Sequence, residues 1–440
     1  MSAFVHPDEI RSRFSAALSA MYRAEVPQYG DLLTLVADIN AQAIKADASG
    51  ADRLAASGEL ARLSEERHGA IRVGTAAELA TIALAFAVMG MEPVSYYNLA
   101  PAGVPVHSTA FRPVDPAALA RNPFRVFTSL LRLELIEDEA LREEAASTLA
   151  RRDIFTPGAR DLIATAETAG GLDEDQADRF VSELLETFRW HAQATVSAQT
   201  YERLVAAHRL IADVVSFKGP HINHLTPRTL DIDAAQAAMP ARGITPKETI
   251  EGPPARACPI LLRQTSFKAL EEAIAFPGEQ GTTAGTHTAR FGEIEQRGCA
   301  LTPAGRALYD AALASKDFSA LPDDWEALRR GDLAWFRYRA TPQGLAGRSE
   351  TADLEDLIAL GHVVAEPITY EDFLPVSAAG IFQSNLGSEA RAAAYAVDPA
   401  KADFEQALGR SVLDEMALYR AEQDASIATT LKVLGLAEAV

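Results

Sequence analysis

Apolar residues recur at helical spacing at the start of the chain. Ile10, Phe14, Leu18 and Met21 form a stripe between Pro7 and Pro27, which predicts an amphipathic helix. Residues 31–40 and 57–65 predict two more helical pieces. The pattern then changes: in Arg67-His68-Gly69-Ala70-Ile71-Arg72-Val73 glycine and β-branched residues favour a strand. Residues 79–89 are almost uniformly apolar, the signature of a helix buried on all sides. Pro93, Pro101, Pro105, Pro113 and Pro116 exclude a long helix over the next stretch, where residues 94–97 and 104–110 suit short strands. Residues 117–149 and 174–215 read as helical, the second with Phe180, Leu184, Leu185, Phe188, Leu204 and Leu210 on apolar stripes. In the C-terminal half, residues 259–263 lead into a helix capped by Thr265 or Ser266 and ending near Pro277. A loop is expected at 278–285, strands at 287–297 and 333–340, and a helix pair at 402–434. The class is α+β, with a mixed or antiparallel sheet and helical layers. With no repeat and no separating linker, residues 1–440 are expected to form one catalytic domain.

Composition narrows the partners. Forty-eight per cent hydrophobic and 23% charged residues in a 440-residue chain exclude a disordered tail, a collagen-like fibre and a disulfide scaffold. Set against 61 acidic residues, 41 basic ones leave a formal charge of −20, and such a surface repels phosphate backbones and anionic lipid. No nucleic-acid or membrane partner is therefore expected, and an anionic substrate needs a locally basic pocket. The most apolar run, 79–91, is shorter than the ~20 residues of a spanning helix. Cys258 and Cys299 suit a reducing compartment. The first nine residues lack the basic and apolar regions of a signal peptide, so a cytoplasmic protein is expected.

The candidate chemistry rests on histidine and carboxylate. The chain has no Walker-type loop, no Gly-x-Gly-x-x-Gly after a strand, no Gly-x-Ser-x-Gly elbow and no His-Glu-x-x-His. His6, His107, His191, His208 and His362 sit in ordinary structural contexts. His68 differs: on a strand it shares a face with Ala70 and Arg72 while Ile71 and Val73 face a core. Strand rise separates the Cα atoms of His68 and Arg72 by about 13 Å, room for a small anion between a metal and the guanidinium. The competing reading is a half-exposed strand with two solvated polar residues. Between Pro220 and Pro227, His221 and His224 would diverge on a strand, so that one of them could ligate a metal. Asp231 and Asp233 follow as supporting or turn residues. Glu293 and Glu295 share a strand face, where two close carboxylates require a cation or an arginine. Two imidazoles and one carboxylate compose the facial triad of non-haem Fe(II), and zinc accepts the same ligands.

Several strings resemble the 2-oxoadipate dioxygenase/decarboxylase family. They are Arg67-His68-Gly69-Ala70-Ile71-Arg72, Phe217-Lys218-Gly219-Pro220-His221-Ile222-Asn223-His224-Leu225-Thr226-Pro227-Arg228 and Arg290-Phe291-Gly292-Glu293-Ile294-Glu295-Gln296-Arg297-Gly298, together with residues 259–270 and 373–382. The resemblance runs over essentially the whole chain. It implies a vicinal-oxygen-chelate-like β-sheet or half-barrel core surrounded by helices: a helical lead-in at 1–65, metal-binding strands near 67–73, 217–226 and 287–297, and C-terminal helices at 402–434. It implies one Fe(2+) held by His68, His224 and Glu295, with Glu293 the second choice. Arg72 matches the family's substrate-carboxylate arginine, and Val376 with Ser377 the loop that lies against the substrate. The implied reaction uses O2 to convert 2-oxoadipate, a 2-oxo dicarboxylic acid, into 2-hydroxyglutarate and CO2 in lysine catabolism, without a separate 2-oxoglutarate co-substrate. His221 and His287 are candidate donors behind the ligands. Two other classes compete: a zinc or manganese hydrolase or isomerase acting on a small 2-oxo acid, and a non-catalytic protein that sequesters 2-oxo acids or metal.

Overall fold

The strand expected at the first histidine motif is an inner strand of a five-stranded sheet. Its strands are β1 (Arg67–Val73), β2 (Glu92–Asn98), β3 (Val106–Arg112), β4 (Arg125–Leu131) and β5 (Leu225–Pro227), in the order β2-β3-β4-β1-β5. β1 runs parallel to β4, with His68 beside Arg125 and Arg72 beside Ser129, and antiparallel to β5, with His68 beside Thr226. The computed structural model describes residues 4–56, 58–278, 281–288, 290–347, 351–374 and 400–436.

Alternation along β1 sends side chains into two cores. Ile71 and Val73 join Phe111 and Val126 in a cluster with Phe14 and Leu18 of the helix Pro7–Glu25, Ile82 and Phe86 of the helix Ala76–Val88, and Phe180 and Leu184 of the helix Glu174–Phe188. Ala70, Phe127 and Ala110 face the opposite way, against the helices Glu139–Ala150, Ala198–Ala207 and Arg209–Val215. A sheet covered on both faces buries every residue of β4. That strand lies inside the stretch 117–149 expected to be helical. Uniform burial erases the alternation that marks a half-exposed strand. The helix Pro116–Arg121 stops at Asn122, which is extended before Pro123 as pre-proline sterics favour. The second long helical stretch is likewise broken, between Phe188 and Ala198. The helix Ala76–Val88 buries Leu79, Ile82 and Phe86 but leaves Thr81 and Leu84 half-buried, so it is not enclosed on all sides.

The helix expected from Thr265 to Pro277 is absent. β6 (Leu262–Ser266) pairs with β9 (Glu293–Arg297), and β7 (Glu271–Gly278) forms a hairpin with β8 (Gly281–Thr288). In β7 the buried residues Ile274 and Phe276 are two apart, the strand period, and Gly278 registers with Gly281 at the turn. The strand expected over 287–297 is therefore two strands, joined through Phe291 and Gly292.

Backbone pairing places the site segments. The Asn223 N–H donates to the Ala70 carbonyl, and the Asn223 carbonyl accepts from the Phe291 N–H. The buried Tyr22 hydroxyl reaches both the Asn223 carbonyl (3.0 Å) and the Phe291 carbonyl (2.7 Å). The first helix thus holds the segments before His224 and Glu293.

The chain divides into two compact units: residues 1–251, 264–296 and 373–412, and residues 252–263, 297–372 and 413–440. The second contains the antiparallel pair β10 (Phe336–Ala340) and β11 (Val363–Pro367). The helix Glu415–Val433 packs on β10, where Ser426 and Thr430 hydroxyls bond the Tyr338 N–H and carbonyl. None of the described helices is long and apolar enough to cross a membrane.

Gly69 of β1 packs tightly against the His224 segment. A Cβ there would lie 2.6 Å from Ile222 Cδ1 and 2.9 Å from the His224 carbonyl oxygen. Gly69→Ala is expected to destabilise by about 1–3 kcal/mol through overpacking, read as a lower urea midpoint.

Candidate metal centre

His68 is supplied by β1, His224 by the residue before β5, and Glu293 and Glu295 by β9. All four are buried. The His68 ring meets Phe373 edge-on (centroids 4.9 Å) and His224 (5.5 Å), while His224 stacks on Phe291 (4.8 Å). Among the described residues, His68, His224 and Glu293 are the one group of His, Cys, Asp or Glu side chains that could hold a metal ion. Their ligand atoms all lie within 4.8 Å of one another.

Glu293 Oε1 is the shared point, 3.1 Å from His68 Nε2 and 3.8 Å from His224 Nε2. It accepts from Thr226 Oγ1 at 3.1 Å and Gln264 Nε2 at 2.9 Å. The Glu295 carboxylate lies on the other edge of the same imidazole, its Oε2 2.9 Å from His68 Nδ1. The two glutamates therefore bracket His68. His221 and His224 diverge: His221 turns to Asp213, with Nε2 3.3 Å from Oδ1.

The side chains fit a cation. Both ring nitrogens of His224 are buried without a hydrogen-bond partner, an arrangement that ordinarily costs about 1–3 kcal/mol per group. Coordination of Nε2 would remove that cost. Burial, then the neighbouring His68 and Arg72, hold the His224 pKa well below its ordinary value, which keeps a ligating nitrogen unprotonated. For His68, burial opposes the charged ring, but the carboxylates of Glu295 and Glu293 outweigh it and raise its pKa. Two imidazoles and a carboxylate suit ferrous iron, and equally zinc or manganese.

Arg72 shares the His68 face of β1 and is engaged by a carboxylate. Its Nη1 donates to Asp213 Oδ2 at 2.7 Å, and Asp213 Oδ1 lies 2.9 Å from His287 Nε2. The Tyr201 hydroxyl, in turn, is 2.7 Å from His287 Nδ1. Burial alone would raise the Asp213 pKa; His221, His287 and Arg72 outweigh it and hold it well below the usual carboxylate range. Lys247, half-buried, has its pKa lowered to about 8 by burial despite Glu293 and Glu251. Val376 and Ser377 lie outside the described residues. Asp213, Thr226, Gln264 and Lys247 were not singled out from the sequence; an aspartate on an apolar helix, or a glutamine on a strand, has no local signal of its own. His208 and His6 do structural work, each accepting a backbone N–H at a helix start.

Residues 14–385 match the sequence profile of the 2-oxoadipate dioxygenase/decarboxylase family. A 2-oxoadipate dioxygenase/decarboxylase from Escherichia coli is 58% identical over 444 residues, covering 97% of this chain and 98% of its own. One from Pseudomonas putida is 57% identical, covering 98% of each. The crystal structure of the hydroxyglutarate synthase in complex with 2-oxoadipate from Pseudomonas putida superposes with a TM-score of 0.90 and 54% identity, covering 99% of this chain and 100% of that one. The expected α+β class, with small sheets surrounded by helices and a vicinal-oxygen-chelate-like core, agrees with this architecture.

The Asp213 cluster has a pH signature. A carboxylate with a depressed pKa contributes stability that is present above its unfolded value, about 3.9, and is lost as pH falls through the folded value. Asp213→Asn is therefore expected to lower the urea midpoint at pH 7, with the gap to the parent protein narrowing below about pH 4. A gap that stays constant from pH 7 to pH 3 would contradict the ionised state of Asp213.

Proposed function

The chain belongs to the 2-oxoadipate dioxygenase/decarboxylase family, and we propose that it converts 2-oxoadipate and O2 into 2-hydroxyglutarate and CO2 with one ferrous ion held by His68, His224 and Glu293. The observation that carries this reading is the buried His68–His224–Glu293 cluster on the same sheet face as Arg72. The stoichiometry balances without a further co-substrate: one carboxyl leaves as CO2, and both oxygen atoms of O2 end in products, one in the new carboxylate and one in the new hydroxyl.

Bound ferrous iron supplies a Lewis-acidic, redox-active centre with open positions for a 2-oxo acid and dioxygen. The chain's own residues do the rest. Thr226 and Gln264 hold the Glu293 carboxylate by two hydrogen bonds, which orients it toward both imidazoles. Phe291 and Phe373 line the two rings with apolar surface, and that limits water beside the reacting carbon. Arg72 would grip the distal carboxylate of the substrate through its planar fork, with Asp213 fixing the guanidinium. Strand rise along β1, about 13 Å between the Cα atoms of His68 and Arg72, measures substrate length between the two ends. The cysteines, both buried as free thiols, support a reducing cytoplasmic setting.

Oxygen uptake by anaerobically iron-loaded protein is expected with 2-oxoadipate, with CO2 and 2-hydroxyglutarate formed in equal amounts and activity lost to a ferrous chelator. Turnover without oxygen, supported by zinc or manganese, would instead favour a hydrolase or isomerase. His224→Ala and Glu293→Gln should each lose activity beyond the ~100-fold typical of residues behind a metal ligand. Arg72→Ala removes a charge-assisted contact made before the chemistry. It should raise KM about 10- to 100-fold with a smaller change in kcat.

A further inference from the structure

The side chains behind Arg72 extend two residues beyond Asp213. Asp213, on the short helix Arg209–Val215, divides its two oxygens between different neighbours. Oδ2 accepts from Arg72 Nη1 at 2.7 Å. Oδ1 lies 2.9 Å from His287 Nε2 and 3.3 Å from His221 Nε2. An ionised carboxylate only accepts, so His287 Nε2 donates to it. A planar carboxylate held at one oxygen has little freedom at the other, and the histidine side therefore sets where Oδ2 meets the guanidinium.

His287 is itself held from three directions. It comes from β8, the second strand of the hairpin. Its ring lies parallel to Trp190 (centroids 5.9 Å, interplanar angle 9°) and tilts against Phe217 (4.8 Å). Tyr201, on the helix Ala198–Ala207, brings its hydroxyl 2.7 Å from His287 Nδ1. The Tyr201 ring packs on Phe276 of β7, with centroids 5.0 Å apart. Asp213 and His287 are buried beside an apolar cluster of Phe217, Ile274 and Phe276. In such surroundings polar groups persist only when they pair, and a paired set is rigid.

We propose that His287 and Tyr201 are positioning residues for substrate recognition: through Asp213 they hold the Arg72 guanidinium where it receives the distal carboxylate of a 2-oxo dicarboxylic acid. The β7–β8 hairpin thereby takes part in binding through His287, a side chain that acts on substrate only through others. This rests on the reading of Arg72 as the residue for the distal carboxylate.

The test uses the full chain, with Tyr201→Phe, His287→Phe and His287→Gln made alone and combined with Arg72→Ala. Affinity for 2-oxoadipate is measured by calorimetry on zinc-loaded protein without oxygen, and KM and kcat on iron-loaded protein. Tyr201→Phe, which removes one hydroxyl, should weaken binding and raise KM about 2- to 10-fold, with a smaller change in kcat. His287→Phe keeps an aromatic ring without the donor and should lose about 10-fold in affinity. His287→Gln, whose amide still donates, should recover part of that loss. In the Arg72→Ala background the same substitutions should have no further effect on affinity, because the contact they position is gone. A merely structural role gives equal losses in both backgrounds, and such additivity would overturn the proposal. So would parent-like affinity and KM in both Tyr201→Phe and His287→Phe. If His287→Phe fails to fold, Tyr201→Phe and His287→Gln decide by the same cycle. Parent-like affinity in Arg72→Ala alone is a different failure, and overturns the assignment of Arg72 in the preceding section.

Discussion

A buried ionisable group must be compensated by its neighbours, and the architecture around the candidate centre follows from that requirement. His68, Glu293 and Glu295 are almost completely excluded from solvent, where unpaired charge costs several kcal/mol per ion in real proteins. Each charge is met by a neighbouring side chain. The glutamates bracket one ring, Thr226 and Gln264 donate to Glu293, and Arg62 interacts electrostatically with Glu295. A chain of formal charge −20 thus places buried arginines among its buried carboxylates. The acidic surface and the basic interior are consistent once burial is taken into account.

The five-stranded sheet turns that compensation into geometry. β1 lies between β4 and β5, so its backbone is paired on both edges and its side chains are held on both faces by packed helices. A site built on such a strand has little freedom to drift, which is what positioning of reacting groups demands. The same strand carries His68 and Arg72, and the two ends of a 2-oxo dicarboxylate would be measured against one rigid element. Asp213, anchored in a short helix on the other side of the guanidinium, ties Arg72 to His221 and His287. His221 and His287, outside the candidate metal cluster, thus hold Arg72 in place through Asp213.

The helices were legible where solvent lay on one side. The stripe of Ile10, Phe14, Leu18 and Met21 corresponds to the helix Pro7–Glu25, and the expected C-terminal pair corresponds to the helices Ala400–Leu408 and Glu415–Val433. β1 matched its expected bounds, since Gly69, Ile71 and Val73 disfavour a helix locally. The errors fell where burial was uniform or local preference was overruled. β4 shows no alternation because both faces are covered. Glu271, Glu272 and Ala273 belong to residue types at home in helices, yet the strand-period pair Ile274 and Phe276, joined to β8 across Gly278 and Gly281, decided for a hairpin.

The sequence by itself determined which residue types could do the chemistry: imidazoles and carboxylates on short strands, an arginine four residues after His68, and motif strings that point to one family. Only the tertiary structure decided which edge of His68 each glutamate meets, that His224 and not His221 turns to the shared centre, and that Asp213 holds Arg72. Strand alternation tells which face a side chain leaves from, and Glu293 and Glu295 leave from the same one. Which ring edge each reaches depends on how β9 sits across β1 and β5, with 225 residues between Glu293 and His68 and 67 between Glu293 and Thr226, and no local pattern carries those distances.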